Sequence, residues 1–583
     1  MGRNISIGSQ LPSFNSKVQL ANKFKDFFVS KINNINRSFP LAVHSLSILP
    51  DFPTMPFTCF LPVSREKVSY YLQTMNKTFC QNDPIDLRLI NISIAGDAVC
   101  DIWSEIINSS FQSGIFPKSE KFSIVQPLLK PNKDAEQLSS YRPLYRTSLL
   151  AKVLEYAALE QLKSYLSKFQ YFSYYQSAYR EYYSVETAMC KVYNDLVIKK
   201  SAGKTIILVL LDLSAAFDTV DHAILVDDLE RIGIGGCAKK WFASYLLDRR
   251  FRVSIDDELS DEGIMISGVP QGSVLGPILF TIYTTELSYL LDTLGVSFHF
   301  YSDDSQLYFE VTNLNDDQLF INHMISKIKT WMDSRKLKLN VEKTEAILMG
   351  SELRLRTLNP QQGNVIINGM PISLAGNVRN LGVWLDQTLS LKDHLRCVKA
   401  KLINNLIIIS RIVKFLDRST IMKLVYGLIL SRVDFCNALL YGLPECDLRG
   451  LQLAINSAAR LVVGLPRFSR EHITPVLKEL HILPIKARIK YKICLLTHKA
   501  LISGEPKYLA SLLRYRQSLP SLRNTSVRLL EVPFISPLMS SDRCFAYCAP
   551  LLYNSLPPDI HSIDSLVVFK KHLKTFIFSE TFD

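Results

Sequence analysis

No apolar run in the sequence approaches the roughly 18–20 residues that a membrane-spanning helix needs. The longest, Ile206 to Leu211, stops at Asp212. The stretch Met1 to Gln10 holds no apolar segment followed by a small-residue cleavage site, which argues against a secretory signal. Zinc spacing is missing as well. The 11 cysteines are scattered, Cys544 and Cys548 stand closest, and no second pair or histidine pair accompanies them. The thiols are therefore expected to be reduced and buried, which places the chain in nucleus or cytoplasm rather than outside the cell. Internal repeats and long low-complexity tracts are also absent, so a solenoid or fibrous design is excluded.

What remains is a globular composition. Of 583 residues, 48% are apolar and 21% charged, enough apolar mass for real cores and too much for wholesale disorder. At about 150 residues per domain the length suggests three or four domains. The formal net charge is +13. A surplus of that size points to a polyanionic partner, nucleic acid first and an anionic membrane surface second.

Along the chain, Leu20, Phe24, Phe27, Phe28 and Ile32 keep a helical period within Val18 to Ile35. Pro50, Pro53, Pro56 and Pro62 mark an irregular connection, and Asn359, Pro360, Gly363 and Asn364 read as turns after Gly350. From Leu395 a long helix is expected, with Val398, Leu402, Leu406, Ile409, Val413 and Leu416 on one face. Lys399, Lys401, Arg411 and Lys414 lie between them, either as a solvated face or as a strip along a phosphate backbone. The segment Glu471 to Asp583 carries 15 basic and 9 acidic residues, a net +6, and its residues alone assign it no chemistry.

The middle of the chain is more specific. Thr205 to Leu211 is a β-branched and leucine run, the pattern of a buried strand, with Asp212 at its end, and Thr219 to Ile232 reads as a helix. Val296 to Tyr301 and Leu307 to Val311 flank the polar Ser302-Asp303-Asp304-Ser305, which predicts a β-hairpin. Adjacent carboxylates at a tight turn repel one another unless a cation relieves them. Magnesium prefers oxygen ligands and is held by one or two carboxylates plus substrate phosphates. Paired metal ions serve in-line phosphoryl transfer. An Asp-Asp pair alone is weak evidence, since aspartate is a common turn residue.

The order of the surrounding strings is stronger. Leu211-Asp212-Leu213-Ser214-Ala215-Ala216-Phe217-Asp218-Thr219-Val220-Asp221-His222 resembles the first catalytic motif of non-LTR (LINE-type) retrotransposon reverse transcriptases. Gly268-Val269-Pro270-Gln271-Gly272-Ser273-Val274-Leu275-Gly276-Pro277 is similar to the next motif, Tyr301-Ser302-Asp303-Asp304 to the aromatic-x-Asp-Asp motif, and Leu339 to Glu345 to the one after. Leu381-Gly382-Val383 resembles the primer grip, and Lys130 to Asp134, Tyr141-Arg142-Pro143 and Gln176 to Arg180 resemble fingers motifs. Lys23 to Ile32 and Lys77 to Pro84 resemble what precedes the polymerase in the jockey, CR1 and L2 groups. Leu480 to Pro484 and Ala549 to Pro557 resemble their tail. Ser302, Ala178, Tyr183 and Tyr553 stand where the family usually has Ala, Gly, His and Trp, and Leu144 to Ser148 departs from its usual string.

The resemblance implies an α+β right-hand polymerase with fingers, an antiparallel-sheet palm and a helical thumb, flanked by an N-terminal helical extension and a C-terminal helical and loop region. It divides the chain into an extension (1–110), fingers and palm (111–386), thumb (387–470) and a basic C-terminal region (471–583). The implied activity is that of an RNA-directed DNA polymerase, transferring nucleotides from dNTPs to a primer 3′-hydroxyl on an RNA template. Asp212 and Asp303 are the expected ligands of Mg2+, or of Mn2+ in its place. Asp304 is a weaker ligand or electrostatic support, and the Leu213 carbonyl completes the site. Phe217 would exclude a 2′-hydroxyl, Gln271 and Gly272 would lie near the incoming nucleotide, and Ser273 would cap the following helix. Arg142 and Arg180 would hold the triphosphate, since the planar guanidinium fork suits phosphate oxygens. Lys343, expected after a helix and a short strand, would protonate the leaving pyrophosphate. Partners follow: RNA template, DNA primer or target, dNTPs and an upstream endonuclease for which this chain is expected to have no room; no membrane. Two other readings stand beside this one. A palm-like nucleic-acid-binding remnant without turnover is opposed by the three retained carboxylates, and an RNA-dependent RNA polymerase by Phe217.

Overall fold

The computed structural model describes residues 11–14, 16–39, 56–75, 83, 95–358, 364–367, 369–466, 469, 471–516, 529–534 and 540–583. Pro50, Pro53, Asn359, Pro360, Gly363, the stretch before Leu11, and Lys77 to Pro84 apart from Asp83 lie outside the described residues. The strands in chain order are β1 Phe122–Leu129, β2 Tyr141–Arg146, β3 Thr205–Leu211, β4 Arg249–Ile255, β5 Glu258–Leu259, β6 Gly263–Met265, β7 Ser297–Tyr301, β8 Asp304–Val311, β9 Glu345–Met349, β10 Asn364–Ile367, β11 Met370–Ser373, β12 Asn377–Asn380 and β13 Val383–Asp386. Asn364 thus opens a strand, where a turn was expected.

One compact unit comprises Met1–Ser173, Leu213–Gly295 and Ile325–Asn340. Its sheet runs β2-β1-β4-β5, with β6 also on β4; β1 and β4 are parallel. The predicted N-terminal helix spans Lys17–Arg37, and its period lays Leu20, Phe24 and Phe28 against Tyr141, Tyr145, Phe251 and Val253 of the sheet. Each buried phenylalanine there contributes about 2–3 kcal/mol. The helix expected from Thr219 starts later, at His222, and ends at Arg231. The reason is Asp221, whose carboxylate accepts from Ala223 N and Ile224 N and so fixes the first turn. Deeper in this unit the buried Arg335 forks onto Asp228 and donates to the Tyr283 carbonyl.

The second unit comprises Tyr174–Asp212, Val296–Met324 and Val341–Asp583. Its sheet runs β7-β8-β3-β9, antiparallel throughout. Strand β3 lies inside the sheet, which explains its near-continuous apolar sequence. Helix Val185–Ser201 contributes Met189, Val192, Tyr193 and Leu196 to a core shared with Ile206 and Leu208 of β3, and that core continues to Phe569, Leu573 and Ile577 of helix Leu566–Phe582. The long helix predicted from Leu395 spans Lys392–Ile412. Val413 falls in a 3-10 turn and Leu416 is extended, because the Asp417 side chain caps a new helix, Arg418–Val425. Lys399, Lys401 and Arg411 are exposed on the first helix. All ten described cysteines are free thiols. Among the described residues no helix is long and apolar enough to cross a membrane.

Candidate active site

The second unit gathers the carboxylates. Antiparallel pairing puts Leu211 opposite Ser305, so Asp212, one step beyond the strand end, faces the level of Asp304. The hairpin closes with Tyr301 opposite Asp304, leaving Ser302 and Asp303 as its two turn residues. Ser302 has φ +62° and Asp303 does not share that sign, the φ pattern of a type II′ turn, which suits the twist of paired strands. Glycine would fit the first position better. Here the Ser302 hydroxyl is hydrogen-bonded to the Tyr179 hydroxyl at 2.9 Å, an interaction that alanine would not make. Ala178, at another departure, is outside the left-handed region, so no glycine is required there.

On the other flank of β3, the pairing of Leu210 with Glu345 of β9 brings the preceding residues to Asp212. Its N–H donates to Thr344 Oγ1 at 3.4 Å. Lys343 Nζ lies 3.5 Å from Asp212 Oδ2. Lys343 occupies a 3-10 turn, Val341–Lys343; the strand expected before it is reduced to a single bridge between Leu339 and Leu213. Asp212 Oδ2 is shielded from solvent and, beyond the Lys343 ammonium at 3.5 Å, has no hydrogen-bond donor among the described residues. The Asp304 carboxyl is pushed up to about 6, first by loss of hydration and then by the charges of Asp303 and Asp212, although its residue still reaches solvent. An undonated buried oxygen beside mutually repelling carboxylates is a donor set that suits a hard divalent cation. Among the described residues no group of three or more His, Cys, Asp or Glu side chains is arranged to hold a metal ion by itself. A magnesium site completed by substrate phosphates and water needs none.

Arg180 belongs to the same unit. Its guanidinium lies 3.9 Å over the Tyr183 ring and donates to the Gln176 carbonyl at 3.1 Å.

The remaining predicted residues lie in the first unit. Phe217 stacks on Phe280, with centroids 4.4 Å apart and planes 21° from parallel. Gln271 Nε2 donates to Asp218 Oδ1 at 3.0 Å, and the Gln271 carbonyl accepts from Tyr145 N at 2.8 Å, tying the Pro-Gln-Gly turn to β2. Gly272 has φ +111°, and a Cβ there would sit 2.7 Å from the Tyr145 carbonyl oxygen, so glycine is required. Ser273 Oγ accepts from Gly276 N at 3.0 Å as expected of a capping residue, although Leu275 holds the N-cap position itself. Arg142 is exposed on β2, on the same face as Leu144 and Arg146.

Two residues here escaped the sequence reading. Buried Glu155 accepts from Val274 N and Leu275 N at 2.6 and 2.9 Å, capping helix Gly276–Thr293 from a position 119 residues upstream. Asp218, pushed up to about 6 by burial against the opposing pull of Lys31 and the Gln271 bond, fixes the Gln271 amide. Only its place beside Phe217 in the first motif hinted at it.

Residues 129–385 match the family model for reverse transcriptase (RNA-dependent DNA polymerase). Over that stretch the chain is similar to a reverse transcriptase domain. The likeness extends to named relatives. A probable RNA-directed DNA polymerase from transposon BS of Drosophila melanogaster is 24% identical over 63% of this chain and 41% of its own length. The RNA-directed DNA polymerase from mobile element jockey of Drosophila funebris is 25% identical over 61% and 39%. A probable RNA-directed DNA polymerase from transposon X-element of Drosophila melanogaster is 25% identical over 63% and 40%. The chain thus spans about two fifths of the length of these curated relatives. A telomerase structure from Candida albicans, in complex with a telomeric RNA fragment, aligns over 66% of each chain with 13% identity and a TM-score of 0.32. The resemblance to non-LTR retrotransposon polymerases read from the motifs is borne out, as is the α+β fold class expected of a right-hand polymerase.

Proposed function

We propose that the chain is the RNA-directed DNA polymerase of a non-LTR retrotransposon, extending a primer 3′-hydroxyl with dNTPs on an RNA template. The observation that carries this reading is the convergence of Asp212, Asp303 and Asp304 at one end of the palm sheet, with Asp212 Oδ2 undonated. Asp212 and Asp303 would hold Mg2+, or Mn2+ in its place, with the Leu213 carbonyl, and Asp304 would add charge. A divalent cation bound there supplies Lewis-acid polarisation of the phosphoryl oxygens and stabilises charge on the attacking and leaving oxygens. Lys343, 3.5 Å from Asp212, would give a proton to the leaving pyrophosphate. Arg180 and Arg142 bind triphosphate oxygens in this reading. Phe217, braced by Phe280, narrows the space beside the sugar, and Gln271, its amide fixed by Asp218, meets the nucleotide over the close backbone approach that Gly272 allows.

The template–primer duplex is held by its backbone and A-form-like shape rather than its sequence. The four-part division into extension, fingers and palm, thumb and basic C-terminal region belongs to the same reading. So do an upstream endonuclease that nicks target DNA and work in the nucleus or cytoplasm. The test is primer extension by the purified chain on RNA and DNA templates, with Mg2+ or EDTA, comparing dNTPs with rNTPs. Metal-dependent extension on RNA with dNTPs is expected. Stable duplex binding without extension under any metal would overturn the reading in favour of a binding remnant, and preference for rNTPs would favour an RNA polymerase.

A further inference from the structure

We infer that Tyr508, in the C-terminal segment to which the sequence assigns no chemistry, is a positioning residue for the hairpin that carries Asp303 and Asp304, acting through Ser177 and His299. Tyr508 is fully buried in helix Lys507–Ala510. Its hydroxyl lies 2.8 Å from Ser177 Oγ and 3.0 Å from Thr187 Oγ1, and Ser177 Oγ lies 2.8 Å from His299 Nε2. His299 is in β7, four residues before Asp303.

The direction of each bond follows from counting hydrogens, since a hydroxyl has only one to give. Thr187 Oγ1 donates to the Ser184 carbonyl at 3.0 Å, so toward Tyr508 it accepts. Tyr508 spends its hydrogen on Thr187, and must therefore accept from Ser177. Ser177 in turn accepts from His299, which fixes the imidazole as the Nε2–H tautomer. The other ring nitrogen, Nδ1, is buried and has no hydrogen-bond partner among the described residues. A single proton order thus runs from the hairpin strand through Ser177 and Tyr508 to the first turn of helix Val185–Ser201.

Backbone pairing reinforces the same place. Phe300 N donates to the Tyr175 carbonyl at 2.9 Å and Ser177 N to the Phe300 carbonyl at 3.0 Å, so residues 175–177 cover the outer edge of β7. Segment 174–183 is itself clamped from the C-terminal side. Tyr174 Oη donates to the Lys507 carbonyl at 2.9 Å, and Tyr183 Oη to Glu505 Oε2 at 2.5 Å. Tyr183 stands where the family usually has His, so this clamp uses one of the chain's departures. The rings of His299 and Tyr508 also meet edge to face, with centroids 5.1 Å apart. The C-terminal segment thereby sets the seat of the strand that ends at the catalytic turn.

The inference relies on the polymerase reading only for the kinetic arm of its test. Tyr508→Phe keeps the ring and removes the hydroxyl; Ser177→Ala breaks the relay one bond earlier. Hydrogen–deuterium exchange should rise about tenfold in 297–311 for either variant, with 345–349 and 485–503 unchanged. In primer extension, kcat should fall about tenfold to a hundredfold at unchanged KM for template–primer, and the double variant should fall no further than either single one. If Tyr508→Phe leaves the hairpin's exchange unaltered, or raises it equally in 485–503, Tyr508 is packing only and the inference fails. Additive losses in the double variant would also overturn it. If the wild-type chain does not extend primers at all, the polymerase reading falls, and the exchange pattern still decides the role of Tyr508.

Discussion

Mild acid should destabilise the carboxylate-bearing unit, and three histidines set the size of the effect. His299, His394 and His498 are 0%, 4% and 1% exposed. Burial holds their folded values down at about 3, 4 and 4, helped by Lys191, Lys401 and His561 respectively. His498 also lies flat on Phe569 and is hydrogen-bonded to Tyr553 at 3.0 Å, while the Ile563 backbone and, more weakly, Asp564 pull the other way. An unfolded histidine titrates near 6.5. The unfolded chain therefore binds more protons below that pH, and stability falls as pH falls from about 6.5 towards the folded values. Each histidine contributes a slope approaching about 1.4 kcal/mol per pH unit, or just under about 2 kcal/mol between pH 7 and 5. The three together remove about 5 kcal/mol, a large share of a typical total of about 5–15 kcal/mol. Asp304 works in the opposite sense, since its raised value makes protonation favour the folded state, but its exposure limits the offset to about 1 kcal/mol. The assay is equilibrium guanidinium unfolding at pH 7, 6 and 5, read from amide exchange in β3 and β8. His498→Gln should remove about a third of the slope. A loss below about 1 kcal/mol between pH 7 and 5, or an unchanged slope in the variant, would refute the argument.

Asp303→Asn and Asp212→Asn should each cut extension by more than about a hundredfold while duplex binding and melting change little, because shape is kept and a ligand charge is lost; near-normal extension at saturating dNTP would remove both from the metal site. Phe217→Val should raise rNTP use relative to dNTP with a modest loss of dNTP efficiency, whereas an equal fall with both would reduce Phe217 to a packing partner of Phe280. Template–primer affinity should fall linearly on a log–log plot against salt, with six or so phosphate contacts costing roughly three decades between about 50 and 200 mM, and a flat response would leave the +13 charge without a role. Gly272→Ala should destabilise the first unit by about 1–3 kcal/mol, since the new Cβ would meet the Tyr145 carbonyl at 2.7 Å; unchanged denaturation would show that the turn relaxes freely.

The Asp303-Asp304 hairpin was legible because its signal is local: alternating strands, a polar turn, and a buried strand whose apolar run is ended by Asp212. The same holds for helix Lys17–Arg37, where one apolar stripe has one sheet to cover. Boundaries failed where a side chain intervened. Asp221 delays one helix and Asp417 ends the reach of another, and apolar periodicity carries no trace of either bond. Glu155, Asp218 and His299 were missed for a different reason. Each is a buried polar group whose meaning lies in a partner: Glu155 and Val274 are 119 residues apart, and Ser177 and Tyr508 are 331 apart. A pattern within one stretch of chain cannot show that such a group is satisfied, only that it is there.

The interleaving of the two units has a consequence for synthesis. The last segment of the first unit ends at Asn340, whereas the core of the second draws on Phe569, Leu573 and Ile577. On the ribosome the first unit has all its residues once Asn340 has emerged. Strand β3 and the Asp-Asp hairpin are already outside by then, yet must wait for more than two hundred further residues before their core can close. During that interval the apolar strand inside the sheet β7-β8-β3-β9 lacks the core that covers it in the folded protein. A chaperone that shields extended apolar segments should cross-link to Thr205–Leu211 in stalled chains ending near residue 400 and lose that contact in the released protein.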